Sequence, residues 1–185
     1  MRDTDRAELL KLARTTLEIY LKNGKIPAYQ TSSEELLEQK GAFVSLHHRG
    51  ELRGCIGQLI ADRELYKIVQ HCVLSAALED TRFISVTPDE VNGLSIEISV
   101  LTPFRRIQDA NEIEVGRHGL YMVRGGYRGL LLPQVATQYH WDRIQFLEHT
   151  CIKSGLPENS WRDPQTVIYT FEAEVFSDES VNLQT

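Results

Sequence analysis

Arg53-Gly54-Cys55-Ile56-Gly57 sets one cation, one thiol and two glycines side by side, between two apolar-rich segments. A thiolate is a nucleophile and a redox group. Glycines around it let the backbone turn sharply and let a ligand approach closely. Arg53, two residues before Cys55, could favour the thiolate or hold an anion beside it. The competing reading is structural, because a lone cysteine commonly packs as a small hydrophobe and glycines often mark a strand bend.

The elements that would carry this stretch are legible from periodicity. Asp3-Thr4 can cap a first helix, in which Ala7, Leu10, Ala13, Leu17 and Tyr20 recur until Asn23-Gly24 stops it. Ser32 to Glu35 can start a short helix. Ala42 to Leu46 reads as a strand, and His47 to Glu51 as a turn into the motif. With Arg49-Gly50 as a two-residue loop, Val44 sits opposite Cys55 and His48 opposite Glu51. His48 then shares the face of Cys55 at roughly 13 Å along the strand, and His47 points to the other face. Neither is placed as a base, and both read as solvated turn residues.

Asp62 is expected to cap a deeply packed helix from about Arg63 to Glu79, with Cys72 in the core. Thr87-Pro88-Asp89-Glu90 is a capping box that opens a short turn. Leu94 to Leu101 alternates apolar and polar residues, which is the pattern of a strand. Glu97 lies in its middle, where a carboxylate needs either a partner or an exposed face. Gly119 to Arg124 and Arg128 to Leu132 read as a second hairpin, and Asp142 as the cap of a later helix. Val167 to Val175 alternates as one long final strand. Residues 177–185 read as a loose tail after a domain over residues 7–176. Strand periodicity in some segments and helical periodicity in others make the fold class α+β.

Composition narrows the function. The 185 residues are 42% hydrophobic and 25% charged, with a net charge of −6, which fits one soluble domain and argues against a broad basic surface for nucleic acid. No apolar run has the roughly 20 residues of a membrane span. The polar stretch Met1 to Arg6 has no signal-peptide core behind it, so the expected address is cytoplasmic. Cys55, Cys72 and Cys151 are odd in number and far apart, which gives no disulfide framework. Phosphate-loop, zinc-type and Gly-x-Ser-x-Gly motifs are absent, and neither a metal nor a cofactor is expected.

Leu52-Arg53-Gly54-Cys55-Ile56-Gly57 resembles the signature hexapeptide of the AMMECR-type domain, whose prokaryotic members are called AmmeMemoRadiSam system protein A. The likeness extends, in order, through Glu79-Asp80-x-Arg82-Phe83, Glu97 to Leu101, Gly129 to Val135, Trp141-Asp142 and Thr170-Phe171-Glu172. It implies an α+β fold with a main lobe and a smaller lobe meeting at a cleft near the hexapeptide. It implies a joint pathway with Memo-type and radical-SAM proteins as partners, and it leaves the activity open. The matching blocks make Cys55 and Glu97 candidate catalytic residues, and Arg53, Gly54, Gly57, Ser99 and Gln134 candidate binding residues. Before Trp141, where bacterial relatives often carry Gly or Asn, this chain has His140. Two readings follow: Cys55 as a thiol nucleophile with Arg53 and Glu97 in support, or a non-catalytic binding module floored by the hexapeptide.

Overall fold

The structure, a computed structural model, describes residues 1–180, and the chain divides into two compact units with separate hydrophobic cores. The fold is α+β, as the periodicities require.

The first unit holds residues 1–101 and the segment from Glu174 onward. Helix α1 (Asp3–Asn23) ends at Gly24, whose φ of 71° lets its N–H reach the Tyr20 carbonyl. A short α2 (Glu34–Leu37) precedes the hairpin of β1 (Ala42–His48) and β2 (Glu51–Gln58). Arg49 and Gly50, with φ of 55° and 83°, form the two-residue turn. Both central residues have positive φ, the kind of turn that matches the twist of paired strands. Helix α3 covers Leu65–Leu78, starting later than expected. Glu64 is the residue before it, and the Leu65 N–H donates to the Glu38 carbonyl (2.8 Å), whereas Asp62 is held by Gln58 and Arg63. Strand β3 runs from Leu94 to Leu101 as expected, behind a turn opened by the capping box of Thr87 and Glu90.

With β8 (Ala173–Ser177), these strands form a sheet of order β2-β1-β3-β8. Ala42, Val44 and Leu46 of β1 and Leu94, Ile96, Ile98 and Val100 of β3 are buried in one core with the apolar faces of α1 and α3. By strand alternation Phe43, Ser45 and His47, with Ser95, Glu97 and Ser99, take the opposite face. Ser177 closes β8, and Asp178 is held by Arg14 (2.5 Å) and by the Ile96 N–H (3.1 Å). Asp178, within the expected tail, thus has contacts to α1 and β3, and residues 181–185 lie outside the described residues.

The second unit, residues 102–173, has a sheet of order β4-β7-β5-β6. Its strands are β4 (Arg105–Arg106), β5 (Gly119–Arg124), β6 (Tyr127–Leu131) and β7 (Val167–Phe171). Helices α4 (Pro133–Gln138) and α5 (Arg143–Lys153) contribute Ala136, Phe146, Leu147 and Cys151 to its core. Asp142 caps α5 with Gln145, as expected. His140 has a φ of 54°, a left-handed conformation that Gly and Asn adopt more easily. The single final strand is corrected to two. The chain leaves one sheet at Glu172, whose N–H and C=O pair with Thr102 (2.8 and 2.9 Å), and β8 joins the other.

Candidate functional site

The hairpin register differs from the expected one. Leu46 pairs with Gly54 and His47 with Leu52, so Arg53 is the extra residue of a β-bulge. One inserted residue reverses every side chain beyond it. Ser45, not Val44, lies opposite Cys55. His47, not His48, shares the face of Cys55, and the His48 ring packs against Gly93 instead.

The bulge brings a polar row together. Ser45 pairs with Cys55 on one side and with Glu97 on the other, so Cys55, Ser45 and Glu97 cross three strands on the sheet face away from the helices. The Ser45 hydroxyl donates to Cys55 Sγ at 3.2 Å. That closeness has a backbone cause. The Cys55 N–H and C=O both turn outward, making Ser45 and Cys55 a non-hydrogen-bonded pair, the type with the closer side chains. Ser45 and Glu97 then form the wider type, with Cα atoms about 5.5 Å apart. Cys55, Ser45, His47 and Glu97 are all half-buried.

Since β2 is an edge strand, the outward groups of Cys55 have no strand to pair with. Asp80 and Arg82 take that place. The Cys55 N–H donates to Asp80 Oδ2 (2.9 Å), and Arg82 Nη2 donates to the Cys55 carbonyl (3.4 Å). Arg82 also grips Asp80 through two bonds of 2.9 and 2.7 Å. This pairing holds the Asp80 carboxyl well below the usual carboxylate range. The guanidinium that contacts Cys55 is thus that of Arg82, at the backbone carbonyl. Its residue type and position after the helix were visible in the sequence, and only the pairing was missing.

Arg53 is committed elsewhere. As the bulged residue, it donates through Nε and Nη2 to both Glu90 oxygens (3.0 and 3.2 Å) and through Nη1 to the Ile84 carbonyl (2.6 Å). The Glu90 carboxyl falls to about 2, first through this pairing and then through the Thr87 N–H. The glycines have internal neighbours too. A Cβ on Gly54 would come within 3.0 Å of the Ala76 carbonyl carbon in α3 and nearer still to its oxygen. On Gly57 it would lie 2.5 Å from Phe43 Cε1. Close approach is indeed why both are glycines, and what approaches is the protein itself.

Ser99, on the same face as Glu97, is buried and pairs with Phe43. Gln134 belongs to the second unit, exposed on α4. Cys72 is fully buried, and burial pushes its thiol up to about 12. Among the described residues no group of three or more acidic, His or Cys side chains is arranged to hold a metal, and no helix is long and apolar enough to cross a membrane.

The hexapeptide of β2, the Asp80–Arg82 clip after α3 and the β3 row are three separated sequence blocks that meet around Cys55. A sequence model of the AMMECR1 family matches residues 10–176. The chain belongs to the AMMECR1 family. It is 42% identical over 182 residues to a protein of Thermococcus gammatolerans, covering 92% of this chain and 89% of that one. A protein of Methanopyrus kandleri is 41% identical over 180 residues, covering 92% and 87%. The crystal structure of an uncharacterized protein from Pyrococcus horikoshii superposes with a TM-score of 0.86 at 39% identity, covering 95% of this chain and 92% of that chain.

Proposed function

We infer that the polar face of the first sheet is a ligand-binding surface on which Cys55 acts as a thiol nucleophile. The observation that carries this reading is the row Cys55–Ser45–Glu97. Within the Arg-Gly-Cys-Ile-Gly stretch, Arg53 latches the hairpin to the Glu90 turn and both glycines make room for the protein's own atoms. Cys55 is the polar side chain left over, and it lies half-buried on the sheet face away from α1 and α3.

The chemistry is addition of the sulfur to an electrophilic carbon. The sulfur supplies the electron pair of the new S–C bond, and the electrons of the opened π bond move onto the substrate's heteroatom. The thiol proton passes to the Ser45 oxygen as the hydroxyl proton passes on to the Glu97 carboxylate. A hydroxyl both donates and accepts, so Ser45 can hold the thiolate in one state and relay the proton in the other. Arg82, paired with Asp80, reaches the Cys55 carbonyl and so orients the peptide that carries the thiol.

The second reading is a non-catalytic binding module. It is favoured by the consumption of Arg53, Asp80, Arg82 and Glu90 in bonds that merely fix the hairpin. Memo-type and radical-SAM proteins are the partners proposed under either reading, and co-purification from a host carrying all three proteins tests that part.

Alkylation by iodoacetamide, mapped residue by residue with mass spectrometry, decides between the two. Cys55 should react at least tenfold faster than Cys72 or Cys151. Ser45→Ala and Glu97→Gln should each slow Cys55 several-fold, and Arg82→Gln should slow it more than Arg53→Gln. Labelling of Cys55 as slow as that of Cys72 in folded protein would sink the nucleophile and leave the binding module.

A further inference from the structure

The second unit contains a cavity of about 380 Å³, between the segment leaving β4 and the segment entering β7. That volume lies in the range of small-molecule sites. Arg106, Gln108, Asp109, Trp161, Arg162 and Thr166 are prominent in its wall.

The charges around it are unevenly spent. Asp109 accepts the Asn111 N–H at 2.7 Å as the cap of the turn Ala110–Glu112. Asp163, also in the wall, is paired with Arg124 at 2.6 Å and accepts the Gln165 N–H at 2.9 Å. Asp163 is therefore ion-paired, and Asp109 is engaged by its own turn through a backbone N–H. Among the described residues the two cations, like Asp109, have no ion-pair partner: no carboxylate lies within ion-pair distance of Arg106 or Arg162. The Arg162 guanidinium lies 4.4 Å from the Trp161 ring centre and donates to the neutral Asn159 side chain at 2.8 Å. A guanidinium laid on an indole keeps its edge donors free for an oxyanion, and its planar fork matches carboxylate or phosphate oxygens.

We propose that this cavity binds a small organic oxyanion, carboxylate or phosphate, held between Arg106 and Arg162 with Trp161 as the wall behind. The site is in the second unit and is independent of the Cys55 reading. Trp161 supplies its own reporter. Among the described residues its indole N–H is buried with no acceptor, so a ligand oxygen that reaches it would shift its resonance.

The test uses the full chain labelled with nitrogen-15 at constant ionic strength, titrated with inorganic phosphate, benzoate and neutral benzamide. Trp141→Phe assigns the two indole signals. Saturable shifts of the Trp161 signal with phosphate alone identify a phosphate site, with benzoate alone a carboxylate site, and with both a general oxyanion site. Arg106→Gln and Arg162→Gln should each weaken binding at least tenfold, and Arg106→Lys should keep part of it. Both arginines are exposed, so the variants should fold, with the thermal transition as the check. Linear shifts with every probe, equal shifts with benzamide, or unchanged binding in both glutamine variants would overturn the proposal.

Discussion

Gly54→Ala should be among the most damaging single-methyl additions this protein can receive. The new Cβ would stand 3.0 Å from the Ala76 carbonyl carbon and closer to the oxygen. Unstrained contacts need about 3.5 Å, so β2 and α3 must part by roughly 1 Å. Neither side can yield by a rotamer change, since both are backbone. Ala76 lies in the packed interior of α3, and Gly54 itself is buried. Overpacking of this kind costs about 1–3 kcal/mol, and a backbone-to-backbone clash belongs at the upper end. A loss of about 3 kcal/mol, with a urea slope near 2 kcal/mol/M, lowers the midpoint by about 1.5 M.

The assay must report the right unit. Trp141 and Trp161 both lie in the second unit, so tryptophan fluorescence does not watch the first. Far-ultraviolet dichroism of α1 and α3, or hydrogen exchange in α3 peptides, does. Gly57→Ala is the comparison, because there the obstacle is the Phe43 ring on a half-exposed face and the ring can turn. It should cost about 1 kcal/mol. The reasoning fails if Gly54→Ala costs less than about 0.5 kcal/mol, or if Gly57→Ala costs more than Gly54→Ala.

Further outcomes follow from the same contacts. Glu90 has a folded value near 2, below its ordinary value of 4.5, so the Arg53–Glu90 latch stabilises fully above about pH 4.5 and fades as the pH falls toward 2. Arg53→Gln should therefore cost roughly 1–2 kcal/mol in urea unfolding at pH 7, and the gap to wild type should narrow at pH 3. Arg49→Asn should stabilise the hairpin by up to about 1 kcal/mol, since Arg49 holds a φ of 55° that asparagine adopts more easily; a lower thermal midpoint would contradict this. Cys72 should resist a bulky maleimide until the protein unfolds, because its thiol is fully buried. Native-state labelling at the unfolded rate would falsify that.

How much of this was legible in the sequence depends on the range of the interactions. Local signals held: the caps of Asp142 and Thr87, the glycine stop of α1, and the alternation of Leu94 to Leu101 all place their elements. The long final strand misled because alternation is the same whichever sheet a strand joins. Nothing between Val167 and Val175 marks the exchange at Glu172, which depends on Thr102, 70 residues earlier. The helix start at Leu65 was hidden similarly, since its N–H is satisfied by the distant Glu38 carbonyl.

The site turns on one residue of register. Regular pairing from the Arg49-Gly50 turn puts His48 with Cys55 and leaves the thiol against Val44. The bulge at Arg53 replaces Val44 with Ser45 and thereby puts Cys55, Ser45 and Glu97 in one cross-strand row. A glycine inside a strand is the one local hint of a bulge, and Gly54 stands immediately after it. What fixes the bulge is not local. Arg53 is drawn out by Glu90, and Cys55 is held outward by Asp80 and Arg82. A strand with its outer edge clipped by side chains can carry an extra residue without losing backbone partners. The same clip orients the Cys55 peptide so that its side chain meets Ser45. Breaking the clip should therefore let the register slip toward regular pairing and separate the thiol from Ser45 and Glu97. Asp80→Asn, which keeps the shape but loses the charge-assisted bond, should then slow Cys55 alkylation and raise hydrogen exchange at the Cys55 amide together. A change in one without the other would separate the clip from the site.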